Sequence, residues 1–119
     1  MNLKIHSVGE KYIAELESEK VVISELQDAI DLMADAGQLG AMGILVYEYQ
    51  IAPEFFKLST GFAGEILQKF SNYRMKLAII GDFSKYQGRS LRDFIFESNK
   101  HRQVMFLPSR DSALHEMLK

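Results

Sequence analysis

The sequence predicts a single α/β domain: a mixed sheet of about five strands, an N-terminal hairpin followed by parallel strands, covered by about four helices. Three observations lead there. Residues 2–17 alternate apolar and polar side chains about a short turn; three continuous apolar runs follow at 44–47, 77–80 and 104–107; and a segment of helical periodicity precedes each run. Strands separated by helices need crossover connections, which makes them parallel and lays the helices over the sheet.

The opening hairpin is read from Leu3, Ile5 and Ser7 alternating with Lys4 and His6, a turn at Gly9 and Glu10, and renewed alternation from Tyr12 to Glu17. After Val21, Val22 and Ile23, the spacing of Ser24 and Gln27 predicts a capping box that opens the first helix. Leu26, Ile30 and Met33, with Ala29 and Ala34, give that helix its apolar face, and Gly37 and Gly40 are candidates to end it. Ile44–Tyr47 reads as a strand buried on both faces, with Glu48 near its end. Pro53 predicts a turn or short helical piece over Glu54–Lys57. From Thr60 a second helix carries the stripe Phe62, Ile66, Leu67 and Phe70.

Leu77–Ile80 is the next buried strand, closed by Gly81 and Asp82, and Ser90 is expected to start a helix whose Leu91, Phe94 and Ile95 share a face. Val104–Leu107 is the last strand. Pro108 stops it, Ser109 can cap the final helix, and Leu114, Met117 and Leu118 anchor that helix to the body.

Bulk composition narrows the function classes. With 119 residues and 47% apolar content the chain can bury a core that offsets its folding entropy. A net charge of −2 with both signs interspersed offers no broad footprint for nucleic acid. The absence of cysteine excludes disulfides, a thiolate nucleophile and sulfur-ligated zinc. No apolar run approaches the roughly 20 residues that span a bilayer, and MNLKIHSVGEKY lacks a signal-peptide core, so no membrane association and a cytoplasmic location are expected.

Two turns carry the candidate chemistry, since ligands of parallel sheets gather where strands end and the next helices begin. Ser59, Thr60 and Gly61 open a helix, where unpaired amides and the helix dipole attract anions; a simple N-cap, with Gly61 and Gly64 permitting close helix–sheet approach, accounts for the same residues without a ligand. Asp82, Ser84, Lys85, Tyr86 and Arg89 crowd the following strand end. Local turn bonds explain Asp82 and Ser84, and a cap explains Ser90, but neither explains Lys85, Tyr86 and Arg89 together. The polar run Glu97–Arg102 reads as a solvated helix terminus. His6, His101 and His115 lack metal-motif spacing, and no cofactor is implied. Phe55, Phe56, Tyr47, Tyr49 and Tyr86 gather near the same strand ends, as core packing or, if Phe55 and Phe56 are both exposed, as a contact surface.

The segments ISELQDAIDLMADA, TGFAGEILQKFSNYRMKLAIIGDFSKY and SLRDFIFESNK resemble, over essentially the whole chain, the bacterial family called domain of unknown function 4180, which implies no activity, cofactor or partner. More remotely, the order of elements is similar to the STAS domains of anti-sigma factor antagonists, which place a phosphorylatable serine or threonine just before a glycine-led helix. Ser59, Thr60 and Gly61 hold the similar place, with Leu58 where that motif carries an acid. The resemblance implies a non-enzymatic regulatory module working through protein contacts at the two turns; separately, the edge strand that the opening hairpin leaves available allows a homodimer of mainly structural role as well as a monomer. The alternative is a binder of anionic small molecules, or an enzyme, using the helix start at Thr60 with Asp82, Lys85 and Arg89.

Overall fold

In the computed structural model, which describes all of Met1–Lys119, the hairpin pairs β1 (Asn2–Val8) with β2 (Lys11–Glu17), Val8 opposite Lys11. Its two-residue turn holds Gly9 at φ +62°, an angle glycine adopts without steric cost. Helix α1 (Leu26–Gln38) leads to β3 (Gly43–Tyr47), α2 (Phe62–Asn72) to β4 (Lys76–Ile80), α3 (Arg89–His101) to β5 (Val104–Leu107), and α4 (Arg110–Met117) follows. The five strands lie in sequence order, with β2 through β5 parallel. The radius of gyration is 13.2 Å, against about 13.5 Å for one compact domain of this length. No helix is long and apolar enough to cross a membrane.

Parallel strands in sequence order place every right-handed crossover on one face of the sheet. Alternate residues divide accordingly. Ala14, Leu16, Ile44, Val46, Leu77, Ile79, Val104 and Phe106 pack against α1, α2 and α3, while Ile13, Leu45, Ala78, Ile80 and Met105 pack against Ala113 and Met117 of α4. With both faces covered, β3 and, from Leu77 onward, β4 are apolar, which is why they read as unbroken runs. At Gly43 a Cβ would collide with the tip of Met117 and lie 3.2 Å from Lys76 Cβ, so this glycine lets α4 seat on β3.

Three helix starts differ from expectation, and each difference has a local cause. For α1 the cap is Glu25, not Ser24: the Asp28 carboxylate accepts from the amides of Ser24 (2.9 Å) and Glu25 (3.1 Å), while Gln27 bonds Asp31 instead. An acid three residues into the helix thus replaces the expected serine–glutamine box. Helix α2 is capped by Gly61 at φ +78°, and α3 by Gly88, with Ser90 already inside the helix. Gly64 is exposed with open space around it, so it makes no close approach to the sheet. Gly37 lies within α1; Gly40, at φ +80°, is the residue that turns the chain away. The face of α1 is also rotated: Ala29, Leu32, Met33 and Ala36 are buried and Ala34 is exposed. Ser109 caps α4 as expected, accepting from the Ser112 amide at 3.1 Å.

The polar run at the end of α3 is only partly solvated. Ser98, buried, donates to the Val104 carbonyl, and the Asn99 amide both accepts from the Phe106 N–H (2.7 Å) and donates to the Phe106 carbonyl (3.2 Å). These side chains satisfy backbone groups that β5, an edge strand, would otherwise present to another strand. Asn99→Ala is therefore expected to lower stability by roughly 1–2 kcal/mol and to accelerate hydrogen exchange at the Phe106 amide selectively. Unchanged exchange there, read by two-dimensional NMR, would contradict this account of the edge.

Candidate functional site

The site begins where β3 ends. After Tyr47 the chain makes a 3-10 turn over Glu48–Gln50, and the Gln50 side chain is fully buried. Its Nε2 donates to the carbonyls of Leu16 (3.1 Å) and Ser18 (3.0 Å), and its Oε1 accepts from the Tyr47 amide at 2.8 Å. Its own carbonyl accepts from Val22 and Ile23, and Ile23 bridges to Ile51. One amide side chain thereby ties the end of β2 to the end of β3. A buried amide bonded this fully is rigid, because every alternative orientation leaves polar groups unpaired.

This tie holds open a cleft of about 490 Å³ at the carboxyl ends of β3 and β4. Tyr47, Tyr49, Ile51 and Val21 line one part of it; Phe56, Gly81, Lys85 and Tyr86, with Glu48, line the rest. Two aromatic pairs contribute to the lining: Tyr47 and Tyr49 lie 5.9 Å apart between centroids, and Phe56 stacks on Tyr86 at 5.1 Å. Glu48 is the acidic group of the cleft. Its Oε2 accepts a short hydrogen bond from the Tyr86 hydroxyl and lies 2.7 Å from Lys85 Nζ. Burial first, and Glu48 with it, push the Tyr86 phenol well above its ordinary range, so it remains a donor. Gly81 makes room for the acid: a Cβ there would sit 2.7 Å from Glu48 Oε1 and 2.9 Å from its Cβ.

Of the residues expected to form a site, Lys85 and Tyr86 converge in this cleft. Asp82 and Ser84 bond each other instead. The Ser84 hydroxyl (2.6 Å) and amide (3.1 Å) donate to Asp82 Oδ1, and these bonds hold the exposed Asp82 below the usual carboxylate range. Arg89 stands apart at the start of α3, 3.9 Å from Asp93 and lining a different groove with Arg92 and Phe96. Thr60 turns its hydroxyl onto the Glu54 (2.9 Å) and Lys57 (2.8 Å) carbonyls and accepts from Phe62 N–H, whereas Ser59 is exposed. Ser59, Thr60 and Gly61 do not line the cleft, although their loop packs on the other through Phe56, which contacts both Phe83 and Tyr86. Phe55 and Phe56 are both buried, so they serve as core and joint rather than as an exposed patch.

A second polar cluster had no sequence signal beyond the alternation of β2. Glu15, 5% exposed, points toward the α4 face, where its carboxylate meets His6 Nε2 (2.7 Å), the Tyr47 hydroxyl (2.8 Å) and Arg110 Nε (3.5 Å). Burial pushes its carboxyl up, but the bonds from His6 and Tyr47 and the Arg110 charge outweigh it, and the group lies below the ordinary glutamate range. Tyr47 thus belongs to both places, its ring in the cleft lining and its hydroxyl on Glu15.

Two outcomes follow from these bonds. Gln50→Ala strands three backbone partners and is expected to cost about 1–3 kcal/mol by urea unfolding, since each stranded buried group carries that order of penalty; a loss within 0.5 kcal/mol, the range about usual for surface changes, would refute the tie. Because Glu15 is depressed in the folded state, its contribution is fully present above the unfolded pKa of about 4.3 and is lost as pH falls through the lower folded value. Stability curves of wild type and Glu15→Gln should therefore converge below about pH 4, and parallel curves from pH 7 to 3 would show that Glu15 is not held this way.

A family model described as domain of unknown function (DUF4180) matches residues 8–117. Comparison with proteins of curated function gives no match. The matched span runs from the end of β1 to the last residue of α4 and so includes the cleft and, of the Glu15 cluster, Glu15, Tyr47 and Arg110, with His6 outside it. The chain belongs to the DUF4180 family.

Proposed function

We propose that this protein is a non-enzymatic binding and regulatory module of the bacterial cytoplasm, STAS-like in its mode of action, that engages a protein partner through the rim at the carboxyl ends of β3 and β4. The observation that carries the reading is the cleft itself: an open, mainly apolar and aromatic surface with Tyr49 55% and Val21 48% exposed at its edge. Exposed aromatic and aliphatic side chains beside a preformed depression are the usual anchors of protein recognition. Its two charges are paired with each other, Lys85 with Glu48, so the free cleft presents no unpaired ion to a partner.

The anionic-ligand alternative draws less support, because Thr60, Asp82, Lys85 and Arg89 are each engaged separately, by backbone carbonyls, Ser84, Glu48 and Asp93. At the neighbouring turn Ser59 is the hydroxyl accessible to modification, Thr60 being bonded to the backbone. Monomer and homodimer both fit the reading, the second by pairing of the β1 edges. The test is capture from native lysate by wild type and by a Val21→Ser/Tyr49→Ser double variant. Both side chains are half exposed, so the variant should melt within about 4 °C of wild type, yet recover the partner at least tenfold less. Equal recovery by a folded variant would overturn the proposal.

A further inference from the structure

The cleft already holds a cation, and it is the protein's own. Lys85 Nζ sits 2.7 Å from Glu48 Oε2 and 5.4 Å from the centroid of the Tyr86 ring, while most of its side chain faces water, at 57% exposure. Glu48, by contrast, is 14% exposed and is held in place by the Tyr86 hydroxyl and by the space Gly81 leaves. The acid and its aromatic surroundings are therefore preorganised, whereas the cation is on a flexible stem that can swing out. A carboxylate set among Tyr47, Tyr49, Phe56 and Tyr86 matches the chemistry of ammonium recognition, in which ring faces and one anion replace the hydration of a positive charge. We infer that the cleft is a recognition site for an alkylammonium group, and that Lys85 occupies it in the free protein as a displaceable internal ligand.

The inference rests on the reading of the cleft as the binding surface and gives it a chemical specificity. A partner's lysine side chain and a free primary amine share this chemistry. Either would exchange with Lys85: the incoming ammonium takes the Glu48 carboxylate and the aromatic contact, and the Lys85 ammonium moves into water. The exchange conserves charge, so the site resists anions and uncharged apolar groups. It also makes wild-type affinity weak, because one ion pair is broken for each one formed. Removing Lys85 removes that competition, and an exposed pair of up to about 1 kcal/mol corresponds to a gain of roughly fivefold.

The experiment is an NMR titration of the full chain, following tyrosine ring resonances, with n-butylammonium chloride, sodium chloride and sodium butyrate at matched ionic strength. Butylammonium should shift rings of Tyr47, Tyr49 and Tyr86 saturably, the two sodium salts should not, and Lys85→Met should bind butylammonium about fivefold more tightly than wild type. Glu48→Gln should abolish the response; because Lys85 is largely exposed, the Lys85→Met comparison decides the matter even if Glu48→Gln folds poorly. A Gly-Gly-Lys-Gly-Gly peptide capped by N-terminal acetylation and C-terminal amidation, with and without acetylation of the lysine amine, separates the sources. Tighter binding of the unmodified peptide than of butylammonium identifies a protein lysine, and the reverse order a free amine; both support the site. Equal binding of the acetylated peptide, an equal response to butyrate, or no gain in Lys85→Met would overturn it. Loss of partner capture in the Val21/Tyr49 variant without any ammonium binding would leave the binding module intact and remove only this inference; ammonium binding with capture undiminished would do the opposite.

Discussion

The arrangement of this molecule's functional end depends on one buried amide. Gln50 lies outside every strand, yet it carries the contact between the ends of β2 and β3 after their ladder has stopped at Glu15 and Leu45. Parallel strands diverge once their hydrogen bonds cease, and the divergence would leave the buried Leu16 carbonyl and the partly buried Ser18 carbonyl and Tyr47 amide without these partners. Gln50 fills that gap with one side chain that both donates and accepts. Its position fixes the turn over Glu48–Gln50 and with it the directions of Glu48 and Tyr49, so the wall of the cleft is set by polar satisfaction rather than by apolar packing.

The two buried or half-buried acids follow the same logic with different results. Glu15 is surrounded by partners from β1, β3 and α4, which makes it a junction between the hairpin and the helix packed on the far face of the sheet. All of its strong partners are integral to the fold, so the cluster serves assembly. Glu48 takes its partners from the single connection between β4 and α3, and one of them, Lys85, is mostly in solvent. A carboxylate held firmly while its counter-ion lies mostly in solvent is chemically available in a way that a fully enclosed one is not. The shared residue, Tyr47, places the two acids on either side of one strand end.

Aromatic packing joins the loops above the sheet. Phe55 is fully buried and meets Phe56, Phe62 and Phe106, while Phe56 passes the contact on to Phe83 and Tyr86. The long connection from β3 to α2 is thus fastened to the connection from β4 to α3 without a backbone ladder between them. Edge-to-face and stacked rings of this kind bury large areas while defining orientation. The Ser59 turn consequently belongs to the same end of the molecule as the cleft, although its side chains stay outside it.

The antiparallel hairpin, the parallel crossovers and the approximate extent of every helix were legible in the sequence, because each is written in local periodicity: alternation for β1 and β2, unbroken apolar runs where both faces are covered, and a 3.6-residue repeat for the helices; the order of the strands across the sheet came from the tertiary structure. Helix starts were legible only to within a residue or two, since Ser24, Thr60 and Ser90 stand beside acids and glycines that serve equally well as caps and local context chooses among them. The crowding of Lys85 and Tyr86 at a strand end was visible too. What tertiary structure alone decided was their partner. Glu48 lies 38 residues from Tyr86, Glu15 lies 32 from Tyr47, and Gln50 reaches back 34 residues to Leu16. Pairings of that range leave no periodic trace in a chain, because they arise from how strands of fixed register bring their ends together, and so Lys85 and Tyr86 could be picked out from sequence while Gln50, Glu15 and the bonds that join them to the strand ends could not.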